Sequence, residues 1–158
     1  MQQTTEPLRH QGIAVLLVTK DEECAAVVHH LLRPNGYHVS LAPTAEVALS
    51  LAPRAAFKLA LIDRRHKIIA VLRQNHVFQR IPMIALQPRG VACTEEETVK
   101  DLAAGFDSVI DTYRHREWLA IIKALLRRQE LQSAPPREFR VNALSMNLDR
   151  HEVRVEAR

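Results

Sequence analysis

Residues 13–34 read IAVLLVTKDEECAAVVHHLLRP. The run from Ile13 to Val18 is short and wholly apolar, which suits a strand buried on both faces, as in a parallel sheet. At Asp21 the pattern changes. Acidic residues in a first helical turn complement the positive end of the helix dipole, and Ala25, Val28, Leu31 and Leu32 repeat at helical spacing. Pro34-Asn35-Gly36 stops the helix. A strand followed by an amphipathic helix is thus the first unit of the chain.

The unit repeats. Tyr37 to Ala42 reads as a second strand, and Thr44 opens a short helix through Leu51. Phe57 to Ile62, FKLALI, predicts a third strand ending at Asp63, with a helix from about Lys67 to Arg73. Ile81 to Leu86 predicts a fourth strand. Thr94 and Glu97 have the spacing of a capping box, starting a helix that ends at Gly105, a residue suited to the turn beyond a helix end. Ser108 to Ile110 predicts a short fifth strand, and Arg116 to about Glu130 a long last helix. Repeated strand–helix units of this kind predict an α/β fold: a doubly wound, five-stranded parallel sheet with helices on both faces. Working groups in such sheets gather at the carboxyl ends of the strands. Those ends carry Thr19-Lys20, Asp63, Gln87 and Asp111-Thr112.

Composition narrows the function. The 158 residues carry 22 basic and 18 acidic side chains, a net charge of +4, and aromatics make up only 4%. That permits nucleic-acid contact without arguing for it. The two cysteines, Cys24 and Cys93, have no ligand-spaced partner, as expected of reduced thiols. No apolar run approaches the roughly 18 residues of a membrane span, and the first residues lack the apolar segment of a secretory signal. A soluble, cytoplasmic protein is expected. Neighbouring His29 and His30 point to different sides of a helix and cannot chelate one metal. No nucleophile–base constellation or glycine-rich phosphate loop is present. Neither a metal, a cofactor nor an enzymatic activity is expected.

Residues 1–12 read as a flexible N-terminus and 13–128 as the α/β domain. The stretch 129–137, QELQSAPPR, reads as a linker. Residues 138–158 hold two strand-like segments, one with Phe139, Val141 and Leu144, the other with Val153 and Val155; Asp149-Arg150-His151 lies between them to turn a hairpin. Two strands alone are marginal in water, so the tail packs on the first domain or opens another.

The order of these pieces resembles the response-regulator receiver family, a flavodoxin-like, CheY-like fold, and within it the OmpR/PhoB type. The carriers are AVLLV with its acidic helix start, NGYHVSLAPTAEVAL, LALID, IPMIALQPRG, AAGFDSVI and WLAIIKALLRR. The resemblance covers about Ile13 to Arg128 and implies that Asp63 stands at the phosphoacceptor position. FRVNALSMNLDRHEVRVEAR resembles the opening strands of that family's winged-helix DNA-binding domain, which would be truncated here.

The departures from the family pattern cluster at one place. Where the family carries an acidic pair that holds magnesium, this sequence has Thr19-Lys20, with Asp21 one residue further on. Magnesium requires hard oxygen ligands in tight octahedral geometry, and a lysine repels it. RRHKII replaces the usual loop after Asp63. Gln87 stands for the Thr or Ser expected after the fourth strand, and Thr112 for the Lys expected after the fifth. Phosphoryl transfer relies on metal and cation positioning, so Asp63 is expected to be inactive. Asp63 at a strand end needs a charge partner, for which Lys20, Arg64 and Arg65 are the nearby candidates; a Lys20–Asp63 pair standing in for the metal is one expectation, and Lys20 and Asp63 both pointing to solvent is the other. Arg64-Arg65-His66-Lys67 is expected to be a solvated basic loop.

The resemblance also implies homodimerisation through the fourth helix, fifth strand and last helix, with Asp101, Asp107 and Lys123 as charge candidates and an exposed Ile121 as an apolar one. The expectation is a pseudo-receiver regulating transcription by dimerisation without phosphorylation, with DNA bound through the missing effector domain. A protein partner or histidine kinase would complete its contacts. Two alternatives stand beside it: a stand-alone protein-interaction pseudo-receiver, and a conventional receiver phosphorylated on Asp63.

Overall fold

The computed structural model describes residues 12–90 and 92–133, together with the strands 138–141, 144–147 and 152–155. The chain divides into two compact units, one ending at Leu126 and the other running from Arg127 to Arg158. Strands and helices alternate along residues 13–133: β1 (Ile13–Val18), α1 (Glu22–Leu32), β2 (Tyr37–Ala42), α2 (Ala45–Leu51), β3 (Leu59–Asp63), α3 (Ile69–Gln74), β4 (Met83–Gln87), α4 (Glu95–Ala104), β5 (Ser108–Asp111) and α5 (His115–Ser133), whose last residues, from Arg127, fall in the second unit. The five strands form one sheet in the order β2-β1-β3-β4-β5, and every pairing is parallel. The doubly wound α/β architecture read from the sequence is the one observed.

Strand alternation sorts the core into two layers. Val15, Leu17, Leu59, Leu61, Ile84, Leu86 and Ile110 pack with α1 (Cys24, Ala25, Val28, Leu32) and α5 (Trp118, Ile122, Leu126). Leu16, Val18, Ala60, Ile62, Met83 and Ala85 pack on the other face with Ala48, Ile69, Leu72, Phe78 and Phe106. Both faces of β3 and β4 are buried, so these strands read as continuous apolar runs rather than alternating ones.

Caps fix the helix starts. The Asp21 carboxylate accepts from Cys24 N–H at the head of α1, and the Thr44 hydroxyl caps α2 from the residue before it. Thr94 and Glu97 make the complete capping box on α4. Gly105 ends α4 at φ 116°, a left-handed conformation that a side chain disfavours.

Some boundaries differ from those read in the sequence. The last helix runs on to Ser133, so residues 129–133 of the expected linker are helical; Gln129, Glu130, Leu131 and Gln132 are compatible with helix, and the Pro pair comes only afterwards. Residues 134–137 lie outside the described ones, as do residues 1–11 of the expected flexible N-terminus. The tail holds three strands rather than two: β6 (Glu138–Val141), β7 (Leu144–Asn147) and β8 (Glu152–Val155), in an antiparallel sheet ordered β6-β7-β8. The first two had merged into one segment. Their trace in the sequence is a change of parity, Phe139 and Val141 at odd positions, then Leu144 and Met146 at even ones.

One side chain ties the lower half of the sheet together. The Arg73 guanidinium on α3 donates to the carbonyls of Phe78 (3.0 Å), Ile81 (3.0 Å) and Gly105 (2.7 Å). It also donates to the Asp107 carboxylate (3.0 Å), whose Oδ2 accepts from Met83 N–H. This clamp joins the approach to β4 to the turn before β5. Arg73→Ala leaves several partly buried acceptors without their charged donor and is expected to cost about 2–4 kcal/mol; guanidinium denaturation of the two proteins measures it.

Candidate functional site

The strand order reverses at β1, which has β2 on one side and β3 on the other. The carboxyl ends of β1 and β3 therefore border a crevice, the usual place for a site in an open α/β sheet. Register places Val18 beside Ile62 and Asp63 beside Leu86. Thr19, Asp63, Gln87 and Thr112 are all buried there. They are the buried polar side chains among the described residues, and each follows or ends a strand. The sequence-predicted pocket thus comes together in space, with Lys20 outside it.

Asp63 has no exposed surface, and its carboxylate is enclosed by donors. Arg65 supplies most of them. Arg65 N–H and Nε reach Oδ1 at 3.0 Å each. Nε reaches Oδ2 at 3.2 Å and Nη2 at 2.6 Å. The Thr19 hydroxyl donates to Oδ2 at 3.2 Å, and itself accepts from Asp21 N–H. Fork-shaped guanidinium–carboxylate pairing of this kind is among the strongest polar contacts a protein makes. The same Arg65 Nη2 lies 3.1 Å from Asp21 Oδ2, so one guanidinium bridges the two carboxylates.

Lys20 is exposed, and the expected Lys20–Asp63 pair is not formed. Arg65 takes that place. The reason is local: the chain turns after β3, with His66 N–H on the Asp63 carbonyl and Arg65 N–H on the Asp63 side chain. The turn folds Arg65 back over the strand end. An Asp followed two residues later by Arg in a turn was the sequence signal for this contact.

The expected solvated basic loop is likewise only half present. Arg64 is largely buried; its guanidinium donates to Gln87 Oε1 at 2.7 Å, lies 2.7 Å from Cys93 Sγ, and pairs with Asp101 at 2.8 Å. It links the ends of β3 and β4 to α4. Lys67 remains exposed. Gln87 and Asp101 draw Arg64 inward, whereas Arg65 reaches Asp63 from an exposed position.

Electrostatics follow the geometry. Burial pushes the Asp63 carboxyl up, but the hydrogen bonds and charge of Arg65 outweigh it and hold the group below its ordinary range. The Cys24 N–H, and then Arg65, hold Asp21 low as well. The paired carboxylates raise the Arg65 guanidinium further above its already high range.

These residues do not fit magnesium. Asp63 and Asp21 are the carboxylates at the ends of β3 and β1, and one guanidinium nitrogen already lies on an oxygen of each. Among the described residues no group of three or more His, Cys, Asp or Glu side chains is placed to hold a metal ion.

The dimer-face candidates disperse. Asp101 pairs with Arg64 and Asp107 with Arg73, both within the domain. Ile121, expected to be exposed, is partly buried against the α1–α5 core layer, because α5 lies close enough to the sheet to cover more than one stripe. Lys123 is exposed.

No family model matches the sequence. The transcriptional regulatory protein CpxR of Klebsiella pneumoniae subsp. pneumoniae (strain HS11286) is 31% identical over 154 residues, covering 90% of this chain and 64% of that protein. The chain thus spans less than two-thirds of that relative's length. The CheY-like receiver domain of Methanospirillum hungatei JF-1 superposes with a TM-score of 0.62 at 28% identity, covering 77% of this chain and 98% of that one. The fold also matches the receiver domain of a sensor histidine kinase from Pseudomonas aeruginosa PAO1, which holds magnesium in its active-site cleft (TM-score 0.61, 24% identity, 73% and 98% covered). No helix among the described residues is long and apolar enough to cross a membrane. With the strand order, the buried aspartate at the end of β3 and these likenesses together, the unit ending at Leu126 has the fold of response-regulator receiver domains.

Proposed function

We propose that this receiver regulates transcription without magnesium-dependent aspartyl phosphorylation, because an arginine holds its aspartate. The observation that carries this reading is the Arg65 guanidinium, 2.6 Å from Asp63 and 3.1 Å from Asp21. A guanidinium there supplies the positive charge that a divalent ion would bring, and it occupies the oxygens through which Asp63 would attack a phosphorus. The domain then has no catalytic step of its own. It acts as a cytoplasmic pseudo-receiver, either alone as a protein-interaction module or, as we favour, joined to a DNA-binding effector.

The effector reading draws on the tail. The match to the CpxR regulator covers more of this chain than the receiver unit supplies, and the tail forms its own three-stranded sheet. Such a sheet agrees with the opening of a winged-helix domain, whose DNA-reading helix would follow. The stimulus would arrive through protein level, a partner such as a histidine kinase, or a ligand.

Homodimerisation through the α4–β5–α5 face is part of the same proposal. Asp101 and Asp107 are already paired internally, so the contact would rely on Val99 and Leu102, both exposed on α4, with Lys123 nearby in the chain on α5. Leu102→Glu is then expected to convert a dimer to a monomer in sedimentation velocity. A wild-type monomer at high concentration would remove this part of the reading.

Incubation with magnesium and acetyl phosphate decides the main claim. Wild-type protein is expected to gain no phosphoryl mass at Asp63. Stoichiometric phosphorylation of Asp63 would instead establish a conventional receiver.

The lock also predicts a pH dependence. Asp63 ionises more readily in the folded than in the unfolded chain, so the folded state binds fewer protons. Its contribution is complete above the unfolded carboxylate pKa of about 3.9 and is lost as pH falls through the lower folded value. Asp63→Asn is therefore expected to be less stable than wild type at pH 7, with the difference shrinking below about pH 4, as measured by urea denaturation across that range.

A further inference from the structure

Beside the Asp63 crevice lies a cavity of about 170 Å³ between the start of α1 and the β5–α5 loop. Cys24 and Val27 of α1 form one wall and Tyr113 the other. At its rim, Arg89 pairs with Glu23 at 2.7 Å, donates from Nε to the Tyr113 hydroxyl oxygen at 2.9 Å, and lies over the Tyr113 ring at 5.3 Å. Thr112 also lines it, and this is the telling residue. Thr112 is 8% exposed, and its hydroxyl has no hydrogen-bond partner. Unsatisfied buried polar atoms are few in native proteins and each calls for a reason. Here a longer side chain was expected from the family pattern, and the threonine leaves room beside itself.

We propose that this cavity binds a small, neutral, ring-bearing molecule with one hydrogen-bonding oxygen, a phenol-like ligand whose polar atom meets the Thr112 hydroxyl. Size supports a single ring, since an apolar cavity of about 150 Å³ accepts benzene. A rigid ring also loses little conformational entropy on binding. Charge supports neutrality. Asp21 is compensated by Arg65 and Glu23 by Arg89, and burial together with the charges of Asp63 and Asp21 raises the Cys24 thiol to about 11, leaving it uncharged. A cationic guest would find both carboxylates of these walls already paired. The site stands whether or not Asp63 ever accepts a phosphoryl group.

Phenol and toluene are the probes, titrated into the full-length, 15N-labelled chain and followed by amide shifts. Phenol is expected to saturate at about 1–10 mM, as befits so few heavy atoms, moving Cys24, Val27, Thr112 and Tyr113. Thr112→Val is expected to weaken phenol about five-fold, the worth of one hydrogen bond, and to leave toluene unchanged. Val27→Phe fills the space and is expected to abolish both. Linear, unsaturated shifts in the wild type would overturn the proposal. So would phenol binding that Thr112→Val does not weaken, or that Val27→Phe does not remove. Spectral dispersion reports whether each variant folds, and either variant alone decides between these outcomes.

Discussion

A carboxylate that ends a central strand with no exposed surface must find positive charge. Ionised and alone in an apolar setting it would cost several kcal/mol; protonated, it would lose its grip on neighbouring donors. In this domain the demand is met from within the chain. Arg65 lies two residues from Asp63 and reaches both of its oxygens, while Thr19 closes the remaining side. The ends of β1 and β3 are held in register by this bond as much as by their backbone ladder, because Asp21, the cap of α1, shares the same guanidinium. A covalently tethered cation differs from a dissociable one in a simple way. It cannot be titrated by supply, so the charge state of the crevice is fixed when the chain folds.

Three arginines divide the structural work at this end of the molecule and beside it. Arg65 joins β1 to β3 through carboxylates. Arg64 joins β3 to β4 and α4 through Gln87 and Asp101. Arg73 joins α3 to the segments flanking β4 and β5, chiefly through carbonyls. Each uses the planar fork that a lysine lacks. Lys20, the cation nearest Asp63 on β1's side in sequence, stays in solvent. A compact, strongly hydrated ammonium gains less at such a site than a guanidinium whose Nε and Nη2 both meet carboxylate oxygens.

The sheet was legible because its signals are local and redundant. Short apolar runs, Asp21, Thr44 and Thr94 as caps, and Gly105 at a left-handed helix end each speak for one element, and they agree. The pocket was legible as a place, since Thr19, Asp63, Gln87 and Thr112 all sit at strand ends. Its pairing was not. Whether Lys20 or Arg65 turns toward Asp63 depends on how the chain bends after β3, and a turn of that kind has no periodicity to read. The same holds for Asp101 and Asp107, whose partners come from distant segments, and for the tail, where a reversal between Val141 and Leu144 left only a change of parity.

A signalling domain must have two states that something tells apart, and a stimulus shifts their balance only as far as it binds one better than the other. With Arg65 on Asp63, the crevice offers a phosphoryl group little to distinguish. The discriminating contact then has to be sought where polar capacity is still unspent. Among the described residues, the Thr112 hydroxyl is such a group, and the cavity it lines also touches Asp21. A guest there would press on the carboxylate that shares Arg65 with Asp63, so the altered pocket and the neighbouring space are mechanically one region. The proposed independence from metal and the proposed ligand site at Thr112 would then be two consequences of the same set of substitutions.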